Sequence, residues 1–218
     1  MRLILTLLLI LSGNCFAASF PTTPILDNAN RSDENPLTNS RWSSPSYGSF
    51  ANLKVSSNTI KQAVTAGSDG LMYWNTGNFG ADEEVYVTIS AISTTDNFVL
   101  LGARYTSTGN GYKIDWQAPS RIRVFRDDAG VRTQLGADIT QTVVAGDSIG
   151  FSIIGSTITV WYKAAAGSWT SLGTRTDATY SAGGRLQLGQ WLSADVASTI
   201  DDFGGGTVGD NGKMFQMF

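Results

Sequence analysis

The chain has 218 residues, a formal charge of −3, no histidine and one cysteine. That length suits one all-β domain and buries enough surface for a core without staples. A mildly acidic chain lacks the basic patch that nucleic acid needs, and zinc held by nitrogen or sulfur is excluded, so any metal is a hard, oxygen-bound ion such as calcium.

Met1 and Arg2 precede an apolar run, Leu3 to Leu11, broken only by Thr6, and small residues follow at Cys15 and Ala17. This is the pattern of a secretory signal over residues 1–17, cut after Ala17. The run is shorter than the roughly 18–20 residues of a membrane span. Asn14 before Cys15 argues against a lipid anchor. Cleavage removes the only cysteine, so the mature chain folds without disulfides.

Next comes "FPTTPILDNANRSDENPLTNSRWSSPSYGS", which predicts a short strand at Ile25–Asp27 and a long loop. Asn30-Arg31-Ser32 is a glycosylation sequon for a host that uses one. Beyond it, "NTIKQAV", "GLMYW", "EEVYVTISAI", "NFVLLGARY", "GYKIDW", "RIRVFRD", "SIGFSII", "STITVWYK", "SWTSLGT", "GRLQLGQW" and "STIDDF" read as short strands. They are rich in β-branched and aromatic residues and bounded by Gly, Asn, Asp and Ser. Asp127–Gly130 and Ile154–Thr157 predict hairpin turns. No long segment has helical period and no repeat recurs. The expectation is an all-β, two-sheet antiparallel sandwich of jelly-roll type, one domain over residues 18–206, with a tail at 207–218.

Four motifs suggest chemistry that their context denies. "GDSIG" (Gly146–Gly150) matches the serine-hydrolase elbow, yet there is no histidine and a strand follows, so a turn is expected. Gly204, Gly206 and Gly209 spell G-x-G-x-x-G, but too few residues remain for the helix that would hold phosphate. Glu83 and Glu84 are adjacent on a strand, point to opposite faces and cannot act as a glycosidase pair; solvated charges at a sheet edge are expected. "DNANRSDENPLT" lacks the glycine and final glutamate of an EF-hand.

"GYKIDW", "RIRVFRD" with its hairpin, "GDSIGFSIIGSTITVWYK", "GRLQLGQW" and "IDDFGGG" together resemble the concanavalin A-like lectin/glucanase superfamily, in its laminin-G-like branch. "LDNANRSDENPL" followed by "RW" is similar to the opening strand of secreted members, so the resemblance runs from about Ile25 to Gly206. It implies two curved sheets with first and last strands side by side, glycan binding on the concave sheet in many members, and a structural calcium near the chain termini in many. The E-x-D-x-x-E strand of the glucanases and the alginate-lyase motifs are absent, which turns the expectation from catalysis to binding.

On this footing Asp27 with Asp201 or Asp202 is the candidate calcium site, the alternative being strand-end aspartates bonded to loop amides. A glycan face needs aromatic platforms flanked by polar groups. Alternation along the strands nominates Trp74, Arg104, Lys113, Asp115, Gln187 and Trp191. The expected function is a secreted, non-catalytic carbohydrate-binding module. The rivals are a polysaccharide hydrolase or lyase of the same fold, and a structural or adhesive protein that oligomerises through "KMFQMF".

Overall fold

Alternating short strands separated by turn residues build two antiparallel sheets in the computed structural model, which describes residues 19–37, 41–63, 69–93, 97–192 and 198–209. The predicted signal segment 1–17 and the tail beyond 209 lie outside the described residues. The first sheet runs β14 (Thr170–Thr176), β13 (Thr157–Lys163), β12 (Ser148–Ile154), β6 (Glu83–Ala91), β16 (Thr199–Thr207), β4 (Thr59–Gln62), β3 (Leu53–Ser56), with β1 (Ile25–Asp27) also on β16. The second runs β10 (Val131–Gln134), β9 (Arg121–Asp128), β8 (Gly111–Gln117), β7 (Asn97–Tyr105), β15 (Arg185–Leu192), β5 (Asp69–Trp74), β2 (Trp42–Ser43), with β11 (Ile139–Thr140) on β9. The all-β sandwich expected from the strand pattern is the fold found.

Period-two alternation builds the core. Val85, Val87 and Ile89 of β6 and Ile149, Phe151 and Ile153 of β12 face Val99 and Leu101 of β7, Tyr112, Ile114 and Trp116 of β8, and Leu186 and Leu188 of β15. Each such side chain contributes about 1.5–3 kcal/mol on burial. The β9–β10 turn places Ala129 and Gly130 at φ 51° and 89°, the primed geometry that matches strand twist. Ser57 and Asn58 do the same between β3 and β4.

"GDSIG" is the expected turn. Asp147 accepts from the Val144 and Ala165 amides at 2.9 and 3.0 Å, and Ser148 meets Thr88 at 3.1 Å. Glu83 and Glu84 do point to opposite faces, but neither is solvated. Glu83 accepts the Arg104 amide at 2.7 Å and the Gly184 amide at 2.5 Å. Glu84 accepts the Thr22 and Thr23 amides at 2.5 and 2.6 Å and both hydroxyls. Backbone donors that need an acceptor explain why both carboxylates are buried. Glu84 thereby docks the N-terminal segment on the outer side of the first sheet, where the Phe20 ring stacks on Trp161 at 4.9 Å.

Strict alternation fails at "IDDF". Asp201 pairs Thr88 and Gly204 pairs Tyr86, so Asp202 and Phe203 stand opposite Val87 alone. The extra residue makes a β-bulge with Asp202 at φ 50°. Ile200 and Phe203 can then both enter the core, whereas strict alternation would set them on opposite faces.

Candidate functional site

Residues between the core positions cover the outer face of the second sheet. Register sets them in rows across the strands: Asp69, Trp191, Phe98 and Gln117; then Leu71, Gly189, Leu100, Asp115 and Arg123; then Tyr73, Gln187, Gly102, Lys113 and Phe125. Four of the nominated residues, Lys113, Asp115, Gln187 and Trp191, therefore share one face. A Cβ at Gly102 would stand 2.7 Å from the Tyr105 ring, so only glycine lets that ring close over the sheet.

Two adjoining hollows open on this face. One of about 260 Å³ lies among Phe98, Trp191, Asp115 and Arg123. The other, about 40 Å³, lies among Tyr47, Phe50, Lys113, Asp127 and Gln187. Asp69, Leu100 and Arg132 line both.

In the larger hollow Trp191 is half-buried and meets Phe98 edge to face at 5.2 Å. Arg123 Nε and Nη2 donate to the two Asp115 oxygens at 2.9 and 2.7 Å. The guanidinium also stands 5.4 Å from the Phe98 ring and 5.2 Å from Phe125. Burial pushes the Asp115 carboxyl above its ordinary value although Arg123 pulls it down. In the smaller hollow Lys113 Nζ and the Tyr105 hydroxyl both donate to Asp127 Oδ2. Burial lowers the Lys113 ammonium, and the Asp127 charge opposes that shift. Gln187 donates to the Tyr47 hydroxyl at 3.1 Å. Tyr47, Phe98, Arg123, Asp127 and Arg132 were not nominated. Tyr47 sits in the long loop where no pattern sets direction, whereas Arg123 and Phe98 follow from alternation once neighbouring strands are known.

Trp74 and Arg104 stand elsewhere. On β5, Leu71 and Tyr73 face outward, so Trp74 enters the core, 3% exposed and edge to face with Trp42 at 5.3 Å. Arg104 lies at a strand irregularity with φ 54°. Its guanidinium turns inward, 1% exposed, and donates to the carbonyls of Ala81, Tyr180 and Gly155 at 2.6, 2.8 and 2.8 Å. It is a staple between loops with no donor directed at the sheet face.

Of the proposed calcium ligands, Asp27 is already occupied by other partners. Asp27 accepts Arg31 Nη1 at 2.6 Å and Nη2 at 3.1 Å, the Ala29 amide at 2.9 Å and Trp42 Nε1 at 2.7 Å. A guanidinium neutralises the carboxylate and its oxygens are taken. These bonds outweigh burial and hold its carboxyl below the usual range. Asp201 accepts the Asp202 amide at 2.8 Å inside the bulge. No group of three metal-ligating side chains forms among the described residues. Asp27 and Asp201 thus follow the alternative reading, aspartates bonded to local amides.

No family model matches the chain, and no curated protein matches it. Solved structures do. The exoplasmic/lumenal domain of VIP36, bound to Ca2+ and Man3GlcNAc, is similar over 80% of this chain and 86% of that one, with a TM-score of 0.59 at 13% identity. A sialidase structure is similar over 85% of this chain and 18% of that one, with a TM-score of 0.56 at 9% identity. A GH43 protein, BlXynB of Bacillus licheniformis, is similar over 84% and 39%, with a TM-score of 0.51 at 13% identity. Identities this low carry the fold and no more. With its two antiparallel sheets, the chain has a concanavalin A-like jelly-roll sandwich fold.

Proposed function

We propose that the chain is a secreted carbohydrate-binding module that takes a glycan on the outer face of its second sheet and does not cleave it. The observation that carries this reading is the larger hollow. Trp191 and Phe98 offer ring surface for sugar C–H groups, and the Asp115–Arg123 pair offers acceptors and donors for hydroxyls beside it. Lys113 and Gln187 extend the polar set. Placing an aromatic wall beside a few fixed polar groups is the usual composition of a small-molecule site.

Binding without turnover is supported by the state of the acids. Asp115 and Asp127 are each held by a cation, and Asp69 stands 3.8 Å from Arg132. A glycosidase needs one acid and one base flanking the scissile bond, whereas these carboxylates are tied down. Secretion rests on the apolar leader, and no helix among the described residues is long and apolar enough to cross a membrane. VIP36 carries a mannose-containing glycan in its solved form, which is consistent with a sugar partner here.

The test is a glycan array probed with residues 18–218, titration of the hits, and reducing-sugar release from the same glycans. Saturable binding, weakened on the order of tenfold or more by Trp191→Ala, with no sugar released, is the expected result. A blank array for folded protein sinks the reading and brings forward a structural or adhesive role.

A further inference from the structure

The two hollows form one trough closed at one end. Ser46 Oγ donates to the Ser107 carbonyl at 2.8 Å, and Tyr47 packs on the loop at Gly109, where a Cβ would meet its ring at 2.9 Å. The loop carrying Tyr47 and Phe50 therefore crosses to the β7–β8 loop and walls off the row of Gln187 and Lys113. The floor behind that wall holds an unusual atom. Asp127 is 3% exposed, its Oδ2 takes both Lys113 and Tyr105, and its Oδ1 has no hydrogen-bond partner. A buried acceptor left unmade is costly.

The smaller hollow, about 40 Å³, holds about three water-sized spheres at roughly 10–15 Å³ each. It has room for a hydroxyl or hydroxymethyl group and not for a sugar ring. It also presents opposite demands side by side. Asp127 Oδ1 needs a donor, while Lys113 uses one of its three donors on Asp127. A hydroxyl both donates and accepts and meets both demands. A carboxylate would face Asp127 and cannot donate, and an ammonium would face Lys113 and cannot accept.

We infer that the trough recognises the end of a neutral glycan chain, with a terminal hydroxyl seated between Asp127 Oδ1 and Lys113 behind the Tyr47 wall, and the following sugar against Trp191. This rests on the carbohydrate-binding reading and adds to it the position along the chain and the charge of the sugar.

The experiment uses residues 18–218 and a panel of neutral polysaccharides (mannan, xylan, arabinan, galactan, β-glucan, fructan) with alginate and polygalacturonate as carboxylated probes. Each polymer is titrated calorimetrically intact and after partial acid hydrolysis, and binding sites are counted per gram. The expected result is capacity that rises in proportion to chain ends for a neutral polymer, with no binding of the carboxylated ones. Capacity constant per gram, or preference for a carboxylated polymer, overturns the inference while leaving the carbohydrate reading in place. Binding of no polymer at all overturns both. Two variants localise the effect. Asp127→Asn weakens binding on the order of tenfold. Tyr47→Ala, which opens the wall without touching the buried ion pair, lets internal sugars enter and uncouples capacity from chain ends. Folded Tyr47→Ala protein that still counts ends refutes the wall.

Discussion

Glu83 should make the protein less stable as the solution moves from mildly acidic to neutral. Its side chain is fully buried between the sheets and accepts two backbone amides, Arg104 from the end of β7 and Gly184 from the loop before β15. Burial pushes its carboxyl from 4.5 up to about 7, although both amides and the Arg104 guanidinium pull the other way. The folded chain therefore holds this proton more tightly than the unfolded chain. Stability from this group is fully present below pH 4.5 and is lost as pH rises through about 7. At 1.36 kcal/mol for each pH unit, the loss is about 3 kcal/mol. Glu83→Gln removes the titration and leaves one amide facing a donor, a cost of about 1–3 kcal/mol. Urea unfolding of both proteins at pH 4.5 and 7.5 measures the difference, so that other carboxylates cancel. The variant should be the weaker at pH 4.5, and the gap should close or reverse at 7.5. A gap that is the same at both pH values refutes the reasoning.

Arg104→Ala should cost about 3–5 kcal/mol, because a fully buried cation is deleted, three loop carbonyls lose their donor and the strained backbone loses its anchor; thermal melts check this, and glycan affinity of the folded fraction should not change. Chelator should leave both melting temperature and glycan binding unchanged, since Arg31 already neutralises Asp27; a fall in either would restore calcium to this corner. Glu84→Ala should free the segment around Thr22 and Thr23, read as new protease sensitivity near residue 20 and a loss of about 2–4 kcal/mol from the stripped amides.

The sandwich was legible because most strands alternate and end at turn residues, as in "GYKIDW", where Tyr112, Ile114 and Trp116 reach the core as alternation demands. The same rule placed Lys113, Asp115, Gln187 and Trp191 together. It failed where the backbone leaves the pleat. The positive φ of Arg104 has no marker in residue type, and the bulge at Asp202 has only a weak one, since aspartate tolerates the left-handed region without requiring it. Trp74 was misplaced for a different reason: "GLMYW" is apolar on both sides and gives no phase. The burial of Glu83 and Glu84 depends on amides from Thr22, Thr23, Arg104 and Gly184, distant in sequence and invisible to any local pattern. Arg31 four residues from Asp27 was in plain view, but its pairing needed the loop to turn back on itself. Tyr47 closes the trough from a loop whose path only the tertiary fold reveals.

The docking of Phe20 on Trp161 and the pairing of β1 with β16 have a practical corollary for handling the protein. Both described ends of the chain belong to the first sheet, and the trough opens on the far side of the second. Fixing the protein to a chip or bead through either end therefore leaves the trough directed away from the support. A dense layer made this way would present many parallel troughs to one polymer, and its apparent affinity would exceed that of the free module through effective concentration alone.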